Sequence, residues 1–243
     1  MRIEDTNGEE INSLEDWAKI FDTPQRKQHW KAGRSAHSIA DFILNRGGEK
    51  RIAKLLERVV PEEVVLEKAI PEFEVRFDQF GRGRVHDLGV FGTTHSGKSI
   101  FIGIESKVDE SFNRTVSEVY LEAKAKQIAG EATNAPARIE DLLRRNFHNI
   151  DPSVFDLRYQ LLYATAGTVA VDCDLCVLLI LVFKTHLYDE LKALDNYRDY
   201  LQFIALADSS EILTDEGQAV AHRISVGGKE LFSIYENILL RES

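Results

Sequence analysis

Ser99-Ile-Phe-Ile-Gly-Ile-Glu-Ser-Lys-Val108 decides how the chain reads. Its isoleucines recur at every second position, so Ile100, Ile102 and Ile104 take one face of a strand and Phe101, Gly103, Glu105 and Lys107 the other. One face is core. The other carries a carboxylate and an ammonium two residues apart, and Gly103 beside them leaves room for a ligand or a second backbone.

Upstream, Arg84-Val-His-Asp-Leu-Gly-Val-Phe91 reads as a partner strand, and Gly92 to Lys98 as a glycine-containing loop that turns the chain back. With Phe91 opposite Ser99, Val85 lies opposite Glu105. Asp87 is then the diagonal neighbour of Glu105 on the same face, with Cβ atoms roughly 7 Å apart. A register displaced by one residue would send the two carboxylates to opposite faces. Two hard oxygen ligands suit Mg²⁺ or Mn²⁺, which keep several waters and complete their shell from phosphate. Such an ion lowers the pKa of its bound water and offsets charge on a phosphorane-like transition state, while Lys107 orients the nucleophile or stabilises the same charge. These parts fit phosphodiester hydrolysis. The plain alternative is an exposed Glu–Lys pair on an edge strand, which contributes little.

An Asp, a hairpin, and Glu-x-Lys at the end of an apolar strand resemble the PD-(D/E)XK nuclease superfamily. The resemblance implies a restriction-endonuclease-like α-β-β-β-α-β core with a mixed central sheet flanked by helices, over roughly residues 30 to 185. Residues 35–60 would then hold the first helices, residues 74–80 the first strand, Arg158-Tyr-Gln-Leu-Leu-Tyr163 part of the second core helix, and residues 175–183 the last core strand. It implies Asp87 and Glu105 as metal ligands, Lys107 as the catalytic lysine, and Gln160 as the glutamine that some branches carry on that helix. His29-Trp-Lys-Ala-Gly-Arg-Ser-Ala36, together with Glu-Ser-Lys-Val-Asp-Glu-Ser-Phe112, is similar to an uncharacterised bacterial branch, which adds Glu72 and Glu110 as auxiliary acids. The proline of the superfamily's name is absent, since His86 precedes Asp87. DNA is the implied partner, in a restriction or defence context. Many enzymes of this kind act as dimers, which leaves a homodimer open.

Gly92-Thr-Thr-His-Ser-Gly-Lys-Ser99 also matches the phosphate-cradling G-x-x-x-x-G-K-[ST] loop. That loop works only where a helix N-terminus follows it, and here a strand follows. Cys173-Asp-Leu-Cys176 has C-x-x-C spacing, yet a structural zinc needs four ligands and no second pair exists. The pair enters an apolar run, so free strand thiols are expected. Without a secretory signal, the cytoplasm is the default expectation.

The chain has 243 residues, 44% of them hydrophobic, enough for one well-cored domain with an extension over 1–29 and a C-terminal elaboration over 186–243. The longest apolar run, near 175–183, is too short to span a bilayer. The net charge of −10 is awkward for a nucleic-acid enzyme. Basic residues nevertheless collect at Arg26, Lys27, Lys31 and Arg34, at Arg144 and Arg145, and at Arg82 and Arg84; the last two, entering the site strand, are the candidate phosphate contacts. Trp30 reads as core rather than a stacking platform, and His86 as a packed strand residue. The first dozen residues read as loose. Helices are expected over 118–147, broken near Asn134-Ala-Pro136, and over 187–207 with Leu187, Leu191, Leu194, Tyr197, Leu201 and Ile204 as its buried stripe. A terminal hairpin is expected around Gly227-Gly228. Three classes remain: a Mg²⁺-dependent nuclease, a binding or scaffold protein of the same fold without activity, and a nucleotide triphosphatase using Gly92 to Ser99.

Overall fold

The alternating segment becomes a central strand covered on both faces. The computed structural model describes residues 1–23, 26–216 and 219–240. In chain order these form β1 (Arg2–Ile3), α1 (Leu14–Ala18), α2 (Ser35–Asn45), α3 (Gly48–Leu56), β2 (Val64–Val75), β3 (Arg84–Thr94), β4 (Ser99–Lys107), α4 (Val116–Ile128), α5 (Ala135–Asn146), α6 (Tyr159–Ala170), β5 (Leu175–Lys184), α7 (Glu190–Leu206), β6 (Asp208–Glu216), β7 (Ala219–Val226) and β8 (Lys229–Leu239).

One mixed sheet of eight strands holds them, in the order β1-β2-β3-β4-β5-β8-β7-β6. β2, β3 and β4 are antiparallel neighbours, and β4, β5 and β8 run parallel. From α2 to β5 the chain runs α2-α3-β2-β3-β4-α4-α5-α6-β5, which gives the expected mixed sheet flanked by helices. Ile100, Ile102 and Ile104 pack with Val177, Leu179 and Leu181 of β5 against Ile39, Phe42, Ile52 and Leu55 of α2 and α3. On the other face Leu178, Ile180 and Val182 meet Leu161 and Leu162 of α6, Leu142 of α5 and Tyr200 and Phe203 of α7. β5 is therefore apolar at consecutive positions because both its faces are covered.

Local signals place the helices. Thr115 and Glu118 close a capping box at the start of α4. Pro136 sits in the first turn of α5, where its missing amide costs nothing. Gly227 and Gly228, at φ 58° and 78°, make the tight turn between β7 and β8.

Several expectations are corrected. The first core strand is Val64–Val75, not residues 74–80. Pro71 lies inside it, tolerated because β1 pairs β2 only at Lys68 and Ala69 and leaves the rest of that edge without a demand for its amide. The first residues are not loose: β1 joins the sheet, and the Met1 ammonium meets Glu49 at 2.9 Å. In α7 the buried stripe is Ala193, Asn196, Tyr200, Phe203 and Ile204, whereas Leu191 is 75% exposed. Asn196 can face inward because its amide donates to the Glu110 carbonyl at 2.9 Å. The C-terminal helix and hairpin are as expected, and β8 of that hairpin joins the central sheet beside β5.

Candidate active site where β3 and β4 part

Phe91 pairs with Phe101 rather than Ser99, and the β3–β4 ladder ends at Leu88 opposite Ile104. The displacement from the expected register is two residues, an even number, so the faces are preserved. Beyond Leu88 the strands part. The next amide of β4, Ser106, loses its strand partner and donates instead to Asp87 Oδ2 at 2.7 Å, with the Ser106 hydroxyl on the same oxygen at 2.8 Å. Asp87 Oδ1 has no protein partner among the described residues. In β2, facing this break, Glu72 adopts φ 50°, a conformation that costs a non-glycine residue strain.

Glu105 and Lys107 are not an exposed edge pair. They lie on a central strand with relative exposures of 1% and 6%. The Glu105 carboxylate is fully engaged. Arg84 pairs with Oε2, Gln160 Nε2 donates to Oε2 at 3.0 Å, and His86 Nδ1 stands 3.1 Å from Oε1. Burial alone would raise its pKa, but the Arg84 charge, His86 and Lys107 hold it at about 2. Gln160, from the first turn of α6, also accepts from Lys107 Nζ at 3.1 Å. The ammonium lies 5.2 Å over the Phe112 ring and forms no ion pair among the described residues.

Asp87 is the opposite case. Its partners are neutral donors, and burial, then the Glu105 charge, pushes its carboxyl above the ordinary range despite Lys107 and Arg84. Glu72 is pushed from 4.5 to about 7 by burial and then by Asp87, with Arg26 at 3.8 Å only partly offsetting this. Folded Glu72 therefore keeps a proton that the unfolded chain releases above pH 4.5, and stability falls as pH rises through about 7. Replacing Glu72 by glutamine should leave stability nearly unchanged at pH 5 and raise it by on the order of 2 kcal/mol at pH 8. Urea unfolding of both proteins with a chelator present measures the gap, and a gap independent of pH would contradict the assignment.

Gly103 does not make room for a ligand. A Cβ there would stand 2.8 Å from His86 Cε1 and 2.8 Å from Thr168 Oγ1, so the missing side chain admits the imidazole that supports Glu105. Because His86 is fully buried and bonded to Glu105, Gly103→Ala should cost roughly 1–3 kcal/mol in chemical denaturation. Gly167 performs the same service for the Arg84 side chain, 2.8 Å from a Cβ built there.

The remaining candidates are committed to other contacts or stand exposed. Glu110 accepts from Ser35, from the Val108 amide at 2.8 Å and from the Asp109 amide at 2.9 Å, which makes it a clamp on the turn after β4. Arg84 is the counter-ion of Glu105, with its guanidinium 4.9 Å over the Tyr163 ring, and is not free for phosphate. Arg82 is exposed. Arg26, Lys27, Arg34, Arg144 and Arg145 each meet a carboxylate. Trp30 stacks on Phe21 at 5.3 Å and packs on the core. Residues 95–98 form a hairpin turn into β4, and Glu62 accepts the Ser96 amide at 2.8 Å, so a carboxylate sits where a phosphate loop would need an anion site. No helix of the described residues is long and apolar enough to cross a membrane.

Asp87 and Glu72 supply oxygen donors with surplus negative charge, which fits Mg²⁺ in kind. Among the described residues, however, no three His, Cys, Asp or Glu side chains are grouped closely enough to hold a metal ion. A cavity of about 640 Å³ opens beside Glu72, and Asp5, Glu9, Glu10, Asp16 and Glu74 line it against only Lys19 and Arg26. A family model described as a domain of unknown function (DUF6946) matches residues 10–236. No curated protein and no solved structure matches the chain.

Proposed function

The chain belongs to the DUF6946 domain family, whose description carries no activity, and from the site itself we propose a Mg²⁺- or Mn²⁺-dependent phosphodiesterase acting on DNA. One observation carries the reading: Lys107 is buried and Asp87 half-buried in the same cluster, and neither makes an ion pair among the described residues. Charges drawn out of water without counter-ions are costly, and a site that gains a cation at Asp87 and an anionic phosphate near Lys107 reduces both costs. Asp87, with Glu72 beside it and Glu105 when Arg84 releases it, would hold the ion, which supplies polarisation of water and phosphate when bound. Lys107, held by Gln160 and the Phe112 face, places a positive charge in a poorly hydrated site where it acts strongly on developing negative charge. The strained Glu72 backbone lies at the same place, as strain tends to at functional sites.

The second reading, a binding protein of this fold without catalysis, is favoured by the engagement of Glu105. Its two oxygens already meet three donors, and the acidic cavity beside Glu72 would repel a phosphate backbone. One experiment separates the two. Mn²⁺ titrated by calorimetry into the protein, followed by incubation with supercoiled and single-stranded DNA, should give ion binding and cleavage that a chelator stops. Protein that neither binds the ion nor cuts would establish the second reading.

A further inference from the structure

The two cysteines form a contact that the candidate site does not use. Cys173 follows α6, Cys176 opens β5, and their sulfurs stand 3.3 Å apart. They are the chain's only cysteines, so each is the other's sole partner within one molecule. Cys173 is half-buried, whereas Cys176 is buried opposite Phe101 of β4. The Cys173 sulfur also contacts the Leu175 carbonyl at 3.2 Å, which keeps it turned into the bend and toward Cys176. Lys229 donates to the Val169 carbonyl at 2.9 Å, which anchors its ammonium near the pair.

We infer that Cys173 and Cys176 are a reversible dithiol–disulfide site whose substrate is a small disulfide such as oxidised glutathione. Exposure assigns the roles. The reacting form is the singly ionised pair, whose one remaining proton passes from Cys173 to Cys176. The Cys173 thiolate attacks one sulfur of the small disulfide; that S–S bond breaks and one small thiolate leaves. The departing thiolate takes the proton from Cys176, whose sulfur then attacks Cys173. The mixed disulfide breaks, the second small thiolate leaves, and a ring closes between the cysteines. Two electrons pass from the cysteine pair to the small disulfide. The sulfurs have to approach from 3.3 Å to about 2.05 Å, the length of the bond that closes the ring. In the resting pair the hydrogen bond from Cys173, opposed by burial and aided by the Lys229 charge, holds the Cys176 thiol below its ordinary range, and the same bond together with burial holds Cys173 above its own, so the shared proton rests on Cys173 until it passes to Cys176.

The experiment exposes full-length protein to excess oxidised glutathione, quenches in acid, alkylates, and counts thiols by intact mass. The expected wild-type product has lost both free thiols and two hydrogens, carries no glutathione, and recovers both thiols with reduced glutathione. Cys176→Ser should stop at a mixed disulfide carrying one glutathione on Cys173. Wild type that keeps both thiols, or ends with glutathione attached and no ring, overturns the inference. The wild-type mass decides the question alone should the serine variant not fold, and it stands apart from any outcome on DNA.

Discussion

Glu105→Ala is expected to cost about 3–5 kcal/mol of stability, whatever it does to activity. Arg84 is only 11% exposed on its side chain and would be left buried without its counter-ion. His86, fully buried, would lose the acceptor at its Nδ1, and Gln160 would lose one of its two hydrogen bonds to β4. Glu105→Gln keeps the shape but not the charge, so it should recover only the hydrogen-bonding part of the loss. In the double variant Arg84→Met with Glu105→Gln no uncompensated charge remains, and its destabilisation should be smaller than the sum of the single effects. Guanidinium unfolding of the wild type, Arg84→Met, Glu105→Gln and the double variant tests this; strict additivity would mean that Arg84 and Glu105 do not depend on each other. The pH dependence has the opposite sign to that at Glu72. With a folded pKa of about 2 against 4.5, Glu105 contributes stability that is complete above pH 4.5 and is lost as pH falls toward 2. A loss of activity in Glu105→Ala would therefore report on folding as much as on chemistry.

The sheet was legible where strands obey a simple period. Residues 99–108 alternate because β4 has two faces with different neighbours, and residues 175–183 are continuously apolar because β5 is covered twice over. The site was legible in membership but not in wiring. Asp87, Glu105, Lys107 and Gln160 do come together, yet strict alternation in β3 cannot place Arg84, His86 and Asp87 all beside one carboxylate. The structure manages it by ending the ladder at Leu88 and turning Asp87 onto the freed Ser106 amide, an irregularity matched by the positive φ of Glu72. Nothing in the residue types announces that break. One signal was available. A carboxylate in an apolar central strand needs a positive partner, and Arg84, entering the neighbouring strand, was the nearest arginine to supply it. As a phosphate contact Arg84 would leave the buried Glu105 without its counter-ion. Pro71 concealed β2 in a similar way, because the freedom of that edge follows from how short β1 is, which only the assembled sheet reveals.

Asp87→Asn separates chemistry from folding, and the contrast with Glu105 explains why. The asparagine amide would retain an acceptor for the Ser106 amide and hydroxyl while removing a charge that burial and Glu105 both disfavour. At neutral pH the variant should be as stable as the wild type or more so. Its ion binding and DNA cleavage should fall by more than the roughly 10- to 100-fold that even outer-shell partners contribute to a metal site. Calorimetry with Mn²⁺, a plasmid-nicking assay and an unfolding curve on the same preparation provide the three readouts. Stability gained with function lost would mark Asp87 as a residue kept against the interest of the fold, the pattern expected of a functional charge. Stability lost would make its bonds to Ser106 structural and shift the weight to the binding reading. An arrangement that compensates Glu105 fully and leaves Asp87 and Lys107 without ion pairs among the described residues divides the work in a definite way: Glu105 holds the site together, and the unpaired charges beside it await what the site binds.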